Sequence, residues 1–225
     1  MNKLLTTMFA LAVACVTLSA QAQKVTGNAE NGGKKTAMCV GCHGIIGYQA
    51  SFPEIYKVPK IAGQSATYIT AALLAYKAGD RKHPTMRAIA DTLTEQDIAD
   101  LSAYYAQLGV KEGDAPPATA AQPNEAVLAL ISRDKDNNCT KCHGANFNTP
   151  NDGTVPKLAG QNADYLLVAL KAYRAQHPLV GRSNAIMGAQ AKNFSPAEMK
   201  QLASYIASLP GEVKTVPESL IHRPK

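Results

Sequence analysis

Apolar residues recur along four stretches of the chain with the spacing of one helix face. The stretches carry Ile69, Leu73 and Tyr76; Ile98, Leu101, Tyr105 and Leu108; Leu166, Leu170 and Tyr173; and Met199, Leu202, Ile206 and Leu209. Such steps place the side chains on one side of a helix, whereas a half-buried strand would alternate every second residue. No segment shows a convincing strand alternation, so the pattern predicts an all-α protein.

Two of these helices also have start signals. Thr94 precedes Asp97, and Ser195 precedes Glu198 with Pro196 between them. A hydroxyl followed three residues later by an acid forms a capping box, and proline fits the first helical turn. We therefore expect helices to begin directly after Thr94 and Ser195.

A long segment of the chain occurs twice. Val58–Gln64 reads Val-Pro-Lys-Ile-Ala-Gly-Gln, and Val155–Gln161 reads Val-Pro-Lys-Leu-Ala-Gly-Gln, at an offset of 97 residues. Further on, Met86 pairs with Met187 at an offset of 101 residues. Repetition over this length indicates duplication of a complete structural unit.

The two units are predicted at residues 23–112 and 124–212. Residues 113–123, rich in Pro and Ala and without apolar periodicity, are typical of a semi-extended linker. Residues 213–225 form a tail without a helical pattern. Because each unit has fewer than about 100 residues, its core would be thin unless a bound group filled the centre.

The N-terminus has the features of a secretory signal. Lys3 is followed by the apolar stretch Leu4–Leu18 and by Ala20–Ala22, which has the small-x-small form of a cleavage site. We predict a signal peptide over residues 1–22, cleavage after Ala22 and delivery to a bacterial periplasm. The stretch is too short to predict a membrane span, and Cys15 is expected to leave with the signal rather than to carry a lipid.

The charge balance excludes one class of function. The chain has 23 Lys and Arg against 17 Asp and Glu, but no basic run and no tryptophan. Nucleic-acid binding is therefore not expected, and export would remove the usual partner.

The clearest chemistry lies in two CxxCH motifs, Cys39–His43 and Cys139–His143. In this motif two thiols bond to the vinyl groups of a haem and the histidine binds its iron. One copy could be chance or part of a zinc site, but two copies in matching surroundings predict two covalently bound haem c groups. The thioether cysteines are Cys39, Cys42, Cys139 and Cys142, and the axial histidines are His43 and His143.

The sixth position on each iron decides whether that iron carries electrons or binds a substrate. Met86 and Met187 are our candidate ligands, since they lie 47 and 48 residues after the first cysteine of their units. A lone methionine is usually core filler, but its repetition favours ligation. His83 and His177, each before a proline, stay open as alternatives.

Two repeated prolines have a candidate role behind the histidines. Pro59 and Pro156 each offer a carbonyl without a competing N–H, and a ligating histidine needs an acceptor for its other ring nitrogen. Simple turn prolines are the alternative. Lys77, Arg81 and Arg174 are candidates for pairing with haem propionates, although solvated helix ends explain them nearly as well.

Taken together, these motifs resemble the dihaem cytochrome c4 family. The resemblance rests on CxxCH, Pro-Lys-Leu-Ala-Gly-Gln, Tyr-x-x-x-x-Leu, Ala-Tyr-Lys or Arg, and a Met before a last helix with Leu-x-x-Tyr, duplicated behind a signal peptide. It covers nearly the whole mature chain and implies two tandem class I cytochrome c domains. By that resemblance His43 and Met86 bind one iron, and His143 and Met187 bind the other.

The second unit departs from the pattern in two places. Its first helix, near residues 126–131, runs into the charged insert 133–138 and lacks the glycine pair Gly32-Gly33. The segment from Pro178 to Met187 is also longer by seven residues than the segment from Pro84 to Met86. The packing around the second haem is therefore left open.

The family implies an electron carrier in the periplasm, between a quinol-oxidising complex and terminal oxidases, and not an enzyme. Two alternatives stay open: an electron-accepting subunit of one periplasmic dehydrogenase, and a dihaem redox enzyme. The expected partners are periplasmic or membrane-bound redox proteins, and peripheral membrane association is left open. Candidates for a basic docking rim are Lys34, Lys35, Lys57 and Lys60.

Overall fold

The computed structural model describes residues 25–110, 122–134, 138–175 and 178–217. Within these ranges the first domain contains α1 (Ala29–Gly33), α2 (Ala37–His43), α3 (Ala66–Ala78), α4 (Pro84–Asp91) and α5 (Glu95–Gln107). The second contains α6 (Glu125–Ile131), α7 (Cys139–His143), α8 (Ala163–Ala175), α9 (Ala185–Lys192) and α10 (Pro196–Ser208). The all-α class is confirmed, and the four apolar stripes lie on α3, α5, α8 and α10. The predicted signal peptide, most of the linker and residues 218–225 lie outside the described residues.

The first domain also contains a short hairpin that the sequence pattern did not predict. Gln49–Ala50 (β1) pairs antiparallel with Tyr56–Lys57 (β2). Strands of two residues are too short to show an alternation of apolar and polar positions, which is why the pattern missed them. Among the described residues of the second domain there is no matching hairpin.

Both predicted capping boxes are present. The Thr94 hydroxyl accepts from the Asp97 N–H while the Asp97 carboxylate accepts from the Thr94 N–H, and Ser195 and Glu198 repeat the arrangement. These reciprocal bonds satisfy backbone donors that have no partner inside the helix. Helices α5 and α10 therefore begin at equivalent positions of the repeat.

The first helix of each domain packs on the last helix by a different means. A Cβ added to Gly32 of α1 would lie 2.1 Å from the carbonyl oxygen of Asp100 in α5, so this close approach requires glycine. In the second domain, α6 instead buries Val127, Leu130 and Ile131 in the core shared with α10. The helix predicted near residues 126–131 thus forms without the glycine pair.

Asp100 is a buried acid specific to the first domain. Its carboxylate accepts from the Asn28 N–H at 2.8 Å, the Lys35 ammonium at 2.9 Å and the Gln96 amide at 2.8 Å. These donors hold the pKa of Asp100 below its usual value. The position 101 residues later is Gln201, which is exposed on α10.

The repeated segment forms a reciprocal contact between the domains. The Gln161 side chain accepts from the Lys60 N–H and donates to the Lys60 carbonyl, both at 2.9 Å. The Gln64 side chain makes the same pair of bonds with the Lys157 backbone, at 3.0 and 2.9 Å. Both glutamines are buried, so the two domains are joined by a reciprocal set of satisfied polar groups.

Candidate haem sites

The CxxCH motifs occupy helices α2 and α7. Because residues three apart lie on the same helix face, the two cysteines of each motif are neighbours, and the histidine follows directly. All four thiols are free and half-buried, and burial raises the pKa of the Cys39 and Cys139 thiols. Among the described residues no group of three or more His, Cys, Asp or Glu side chains could hold a metal ion, so the cysteines have no partners for a zinc site.

The two motif histidines are held in the same way. His43 Nδ1 lies 2.8 Å from the Pro59 carbonyl oxygen, and His143 Nδ1 lies 3.0 Å from the Pro156 carbonyl oxygen. Since a carbonyl only accepts, Nδ1 carries the hydrogen and Nε2 keeps a free lone pair. Burial lowers the pKa of both imidazoles, which favours the neutral, metal-binding form.

The two candidate methionines occupy equivalent positions in the structure. Each is the third residue of its helix, Met86 in α4 and Met187 in α9, and each is half-buried. The N–H of Met86 donates to His83 Nδ1 at 3.4 Å, and that of Met187 donates to Asn184 Oδ1 at 2.8 Å. The repeat therefore presents one thioether per domain from the first turn of a capped helix.

Other candidates for the sixth position occupy different environments. Met199 is fully buried in the core of the second domain, and Met38 is exposed. His83 uses Nδ1 for the Met86 N–H and has its Nε2 3.1 Å from the Tyr56 hydroxyl. His177 lies outside the described residues.

Two half-buried arginines meet between the domains. Arg81 and Arg182 face each other in an antiparallel bridge. The Tyr165 hydroxyl accepts from Arg81 at 2.6 Å and from Arg182 at 3.2 Å, and Tyr68 accepts from Arg81 at 3.3 Å. Arg81 lies over the Tyr76 ring at 4.6 Å, so tyrosines surround the cationic pair.

This arginine pair has no acidic partner in the described part of the chain. No carboxylate there lies within ion-pair distance of either guanidinium, and Arg81 Nε is buried without an acceptor. Although burial opposes the change, Arg182 and Arg81 lower the pKa of Tyr165 to about 8. Two like charges held this close, with one guanidinium nitrogen buried and unpaired, are stabilised by anions nearby, and the propionates that a haem carries fit this need.

Sequence reasoning found only half of this arginine pair. Of its three propionate candidates, Lys77 donates to the Leu93 carbonyl and Arg174 is exposed, which leaves Arg81. The offset of 97 residues, which pairs Lys77 with Arg174, no longer holds beyond the longer loop before Met187. For that reason the comparison of the repeats did not pair Arg81 with Arg182. The offset of 101 residues that pairs Met86 with Met187 also pairs Arg81 with Arg182.

The four lysines predicted for a basic docking rim each have a partner within the chain. Lys60 Nζ lies against the Gly160 carbonyl at the domain interface, and Lys57 lies beside Asp164 of the other domain. Lys34 pairs with Glu30, while Lys35 pairs with Asp97 and Asp100. The partners of Lys35, Lys57 and Lys60 are distant in the sequence, whereas Glu30 lies only four residues before Lys34. A docking role for these lysines stays a prediction.

The comparisons with known proteins agree with this architecture. The cytochrome c family model matches residues 29–109 and 134–210. Cytochrome c4 of Stutzerimonas stutzeri is 32% identical over 192 residues, covering 81% of this chain and 90% of that protein. The crystal structure of reduced recombinant cytochrome c4 from Pseudomonas stutzeri is similar with a TM-score of 0.62 and 31% identity, covering 82% of this chain and 100% of that one.

A second kind of relative has a more specialised name. A thiosulfate dehydrogenase electron acceptor of Stutzerimonas stutzeri is 31% identical over 214 residues, covering 88% of this chain and 92% of that protein. The chain belongs to the dihaem cytochrome c4 family of cytochromes c, and its cofactors are two covalently bound haem c groups.

Proposed function

We propose that this chain is a periplasmic electron carrier with one His/Met-ligated haem in each domain. The observation that carries the proposal is the equivalence of the two sites: each has a CxxCH helix, a proline carbonyl on the histidine and a methionine in the first turn of a capped helix. The four axial ligands are His43, Met86, His143 and Met187.

The bound haems supply one-electron chemistry, and the protein residues prepare their surroundings. The Pro59 and Pro156 carbonyls orient the histidines, and Met86 and Met187 would bind the irons where a substrate would otherwise bind. Arg81 and Arg182 would compensate the propionates of the haems, while Gln64 and Gln161 keep the domains together. With both iron positions filled by side chains, valence changes need little rearrangement, which suits a carrier and not an enzyme.

The periplasmic location rests on the sequence. Residues 1–22 have the pattern of an export signal, although they lie outside the described residues. In the described part of the chain, no helix has the length and apolar character needed to cross a membrane. The proposed donors and acceptors are periplasmic or membrane-bound redox proteins, such as a quinol-oxidising complex and a terminal oxidase.

The decisive test is an optical and redox titration of the purified holoprotein. Mass spectrometry should give the chain from Gln23 plus two haems, and the oxidised protein should show the weak near-infrared band of methionine-to-iron ligation. Two one-electron steps should appear. A single haem, or two haems without that band, would contradict the proposal.

A second function is favoured by one relative. Similarity to a thiosulfate dehydrogenase electron acceptor extends over 88% of this chain, so the carrier could serve one dehydrogenase as its dedicated acceptor. The residues proposed for the haem sites would be the same. Isolation of the native protein would separate the two functions, since a dedicated subunit should co-purify with one dehydrogenase in a fixed ratio.

A further inference from the structure

We propose that His83 is the residue that positions Met86 at the first haem, a role that Asn184 fills for Met187 at the second. This inference rests on the axial ligation proposed above, and it concerns how the methionine is kept in place. The N–H groups in the first turn of a helix have no partner within the helix. In α4, Pro84 contributes no N–H, and the His83 side chain accepts from the N–H of Met86 itself.

The hydrogen bonds define the state of the imidazole. Because the Met86 N–H can only donate, His83 Nδ1 must be unprotonated and accept. The neutral ring then carries its hydrogen on Nε2, which lies 3.1 Å from the Tyr56 hydroxyl. Both nitrogens are engaged, so His83 acts as a helix cap and not as an iron ligand.

The hairpin of the first domain holds this cap in place. Tyr56 belongs to β2 and is 6% exposed. Phe52, in the turn between the strands, meets the His83 ring edge-on at 6.4 Å. The Tyr56 ring in turn lies 6.3 Å from the Tyr165 ring of the second domain. A continuous set of contacts therefore runs from the domain interface through Tyr56 and His83 to Met86.

The second domain achieves the same result with a shorter side chain. Asn184 Oδ1 accepts from the Met187 N–H at 2.8 Å. Asparagine reaches the backbone directly and is among the most favoured N-cap residues. This difference supplies a matched replacement for His83 from within the same protein.

The test measures how readily Met86 leaves the iron. In the Met187→Ala holoprotein, the near-infrared band should report the first haem alone. In the Met187→Ala background, adding His83→Ala should weaken this band. It should also raise the rate at which added imidazole binds the first ferric haem about fivefold, because loss of one N-cap changes an equilibrium by about that factor. His83→Asn should return the rate to within about twofold of the parent. Tyr56→Phe, which leaves the cap acceptor in place, should have the smaller effect.

The outcomes separate the inference from the function on which it rests. If His83→Ala binds imidazole at the parental rate, or if His83→Asn is no better than alanine while haem content and helicity are unchanged, His83 does not position Met86 as a cap. If Tyr56→Phe equals His83→Ala, the hairpin contact governs the ligand and the cap assignment is overturned. If Met86→Ala leaves the band of the Met187→Ala protein unchanged, the proposed ligation itself is wrong.

Discussion

The two domains present the same set of candidate ligands from different surroundings. The first domain uses a glycine crossing, a buried carboxylate, a hairpin and a histidine cap. The second uses a larger apolar core, no matching hairpin among its described residues and an asparagine cap. What the domains share lies next to the proposed haems and the interface, so these features define the electron-transfer unit. The remainder differs because many arrangements can support the same site.

The largest expected effect is loss of one axial sulfur. Met86→Ala and Met187→Ala should each remove about half of the near-infrared band and lower the potential of the affected haem by on the order of 0.1 V, since axial ligands tune haem potentials over ~0.8 V. Spectroelectrochemistry checks both effects. Met38→Ala, which changes an exposed methionine, is the control. Equal loss of both haem signals from either single variant would mean that the sites are not independent.

Breaking the reciprocal contact should separate the domains. Gln64→Ala with Gln161→Ala removes four interdomain hydrogen bonds, worth about 2–4 kcal/mol at the net value of such bonds. We expect rapid interhaem transfer in the parent and slower transfer in this variant, measured by flash reduction. Replacing residues 113–123 by a much longer flexible linker should have little effect while the glutamines remain. If the parent shows no fast intramolecular phase, the haems act as separately tethered carriers.

A smaller effect should distinguish the domains at low pH. Hydrogen bonds to Asn28, Lys35 and Gln96 lower the pKa of Asp100, so its stabilisation is complete above the unfolded value of about 3.9 and is lost as the pH falls through the lower folded value. Asp100→Asn should lower the free energy of unfolding by about 1–2 kcal/mol at neutral pH. The free energy of unfolding of this variant, measured with denaturant, should also fall less steeply than that of the parent as the pH is lowered. Gln201→Ala is the control. If the free energy of unfolding of Asp100→Asn falls at low pH as steeply as that of the parent, the pH dependence belongs to other carboxylates.

The smallest effect should come from single charges at the interface. Arg81→Leu or Arg182→Leu leaves acidic haem groups less compensated, which stabilises the oxidised iron and should lower the nearer haem potential by on the order of tens of millivolts. Redox titration measures the shift. Arg174→Leu, an exposed arginine, should change neither potential. A raised potential in the Arg81 or Arg182 variants would show that these cations do not face the propionates.

Local patterns predicted the helices and the candidate ligands, because periodicity, capping boxes and CxxCH spacing are encoded over a few residues. Comparison of the repeats selected Met86 and Met187, and their matching helix positions agree with that choice, although ligation itself stays a prediction. The domain boundaries also stay predictions. What the sequence did not reveal depends on contacts between distant segments: Arg182 against Arg81, the glutamine contacts and the partners of Lys57 and Lys60. The two-residue strands were too short to detect.

The reciprocal glutamine contact also bears on how the protein arose. Each copy of the repeated heptapeptide supplies both a glutamine side chain and the lysine backbone that the opposite glutamine binds. In a symmetric dimer the same surface patch serves both subunits, and this intramolecular contact follows that rule. A single domain with this heptapeptide would carry both halves of the contact, so that two copies of it would form the same four hydrogen bonds. Duplication that keeps this contact holds the two copies together in one chain, and positions outside the contact, such as His83 and Asn184, differ between the domains.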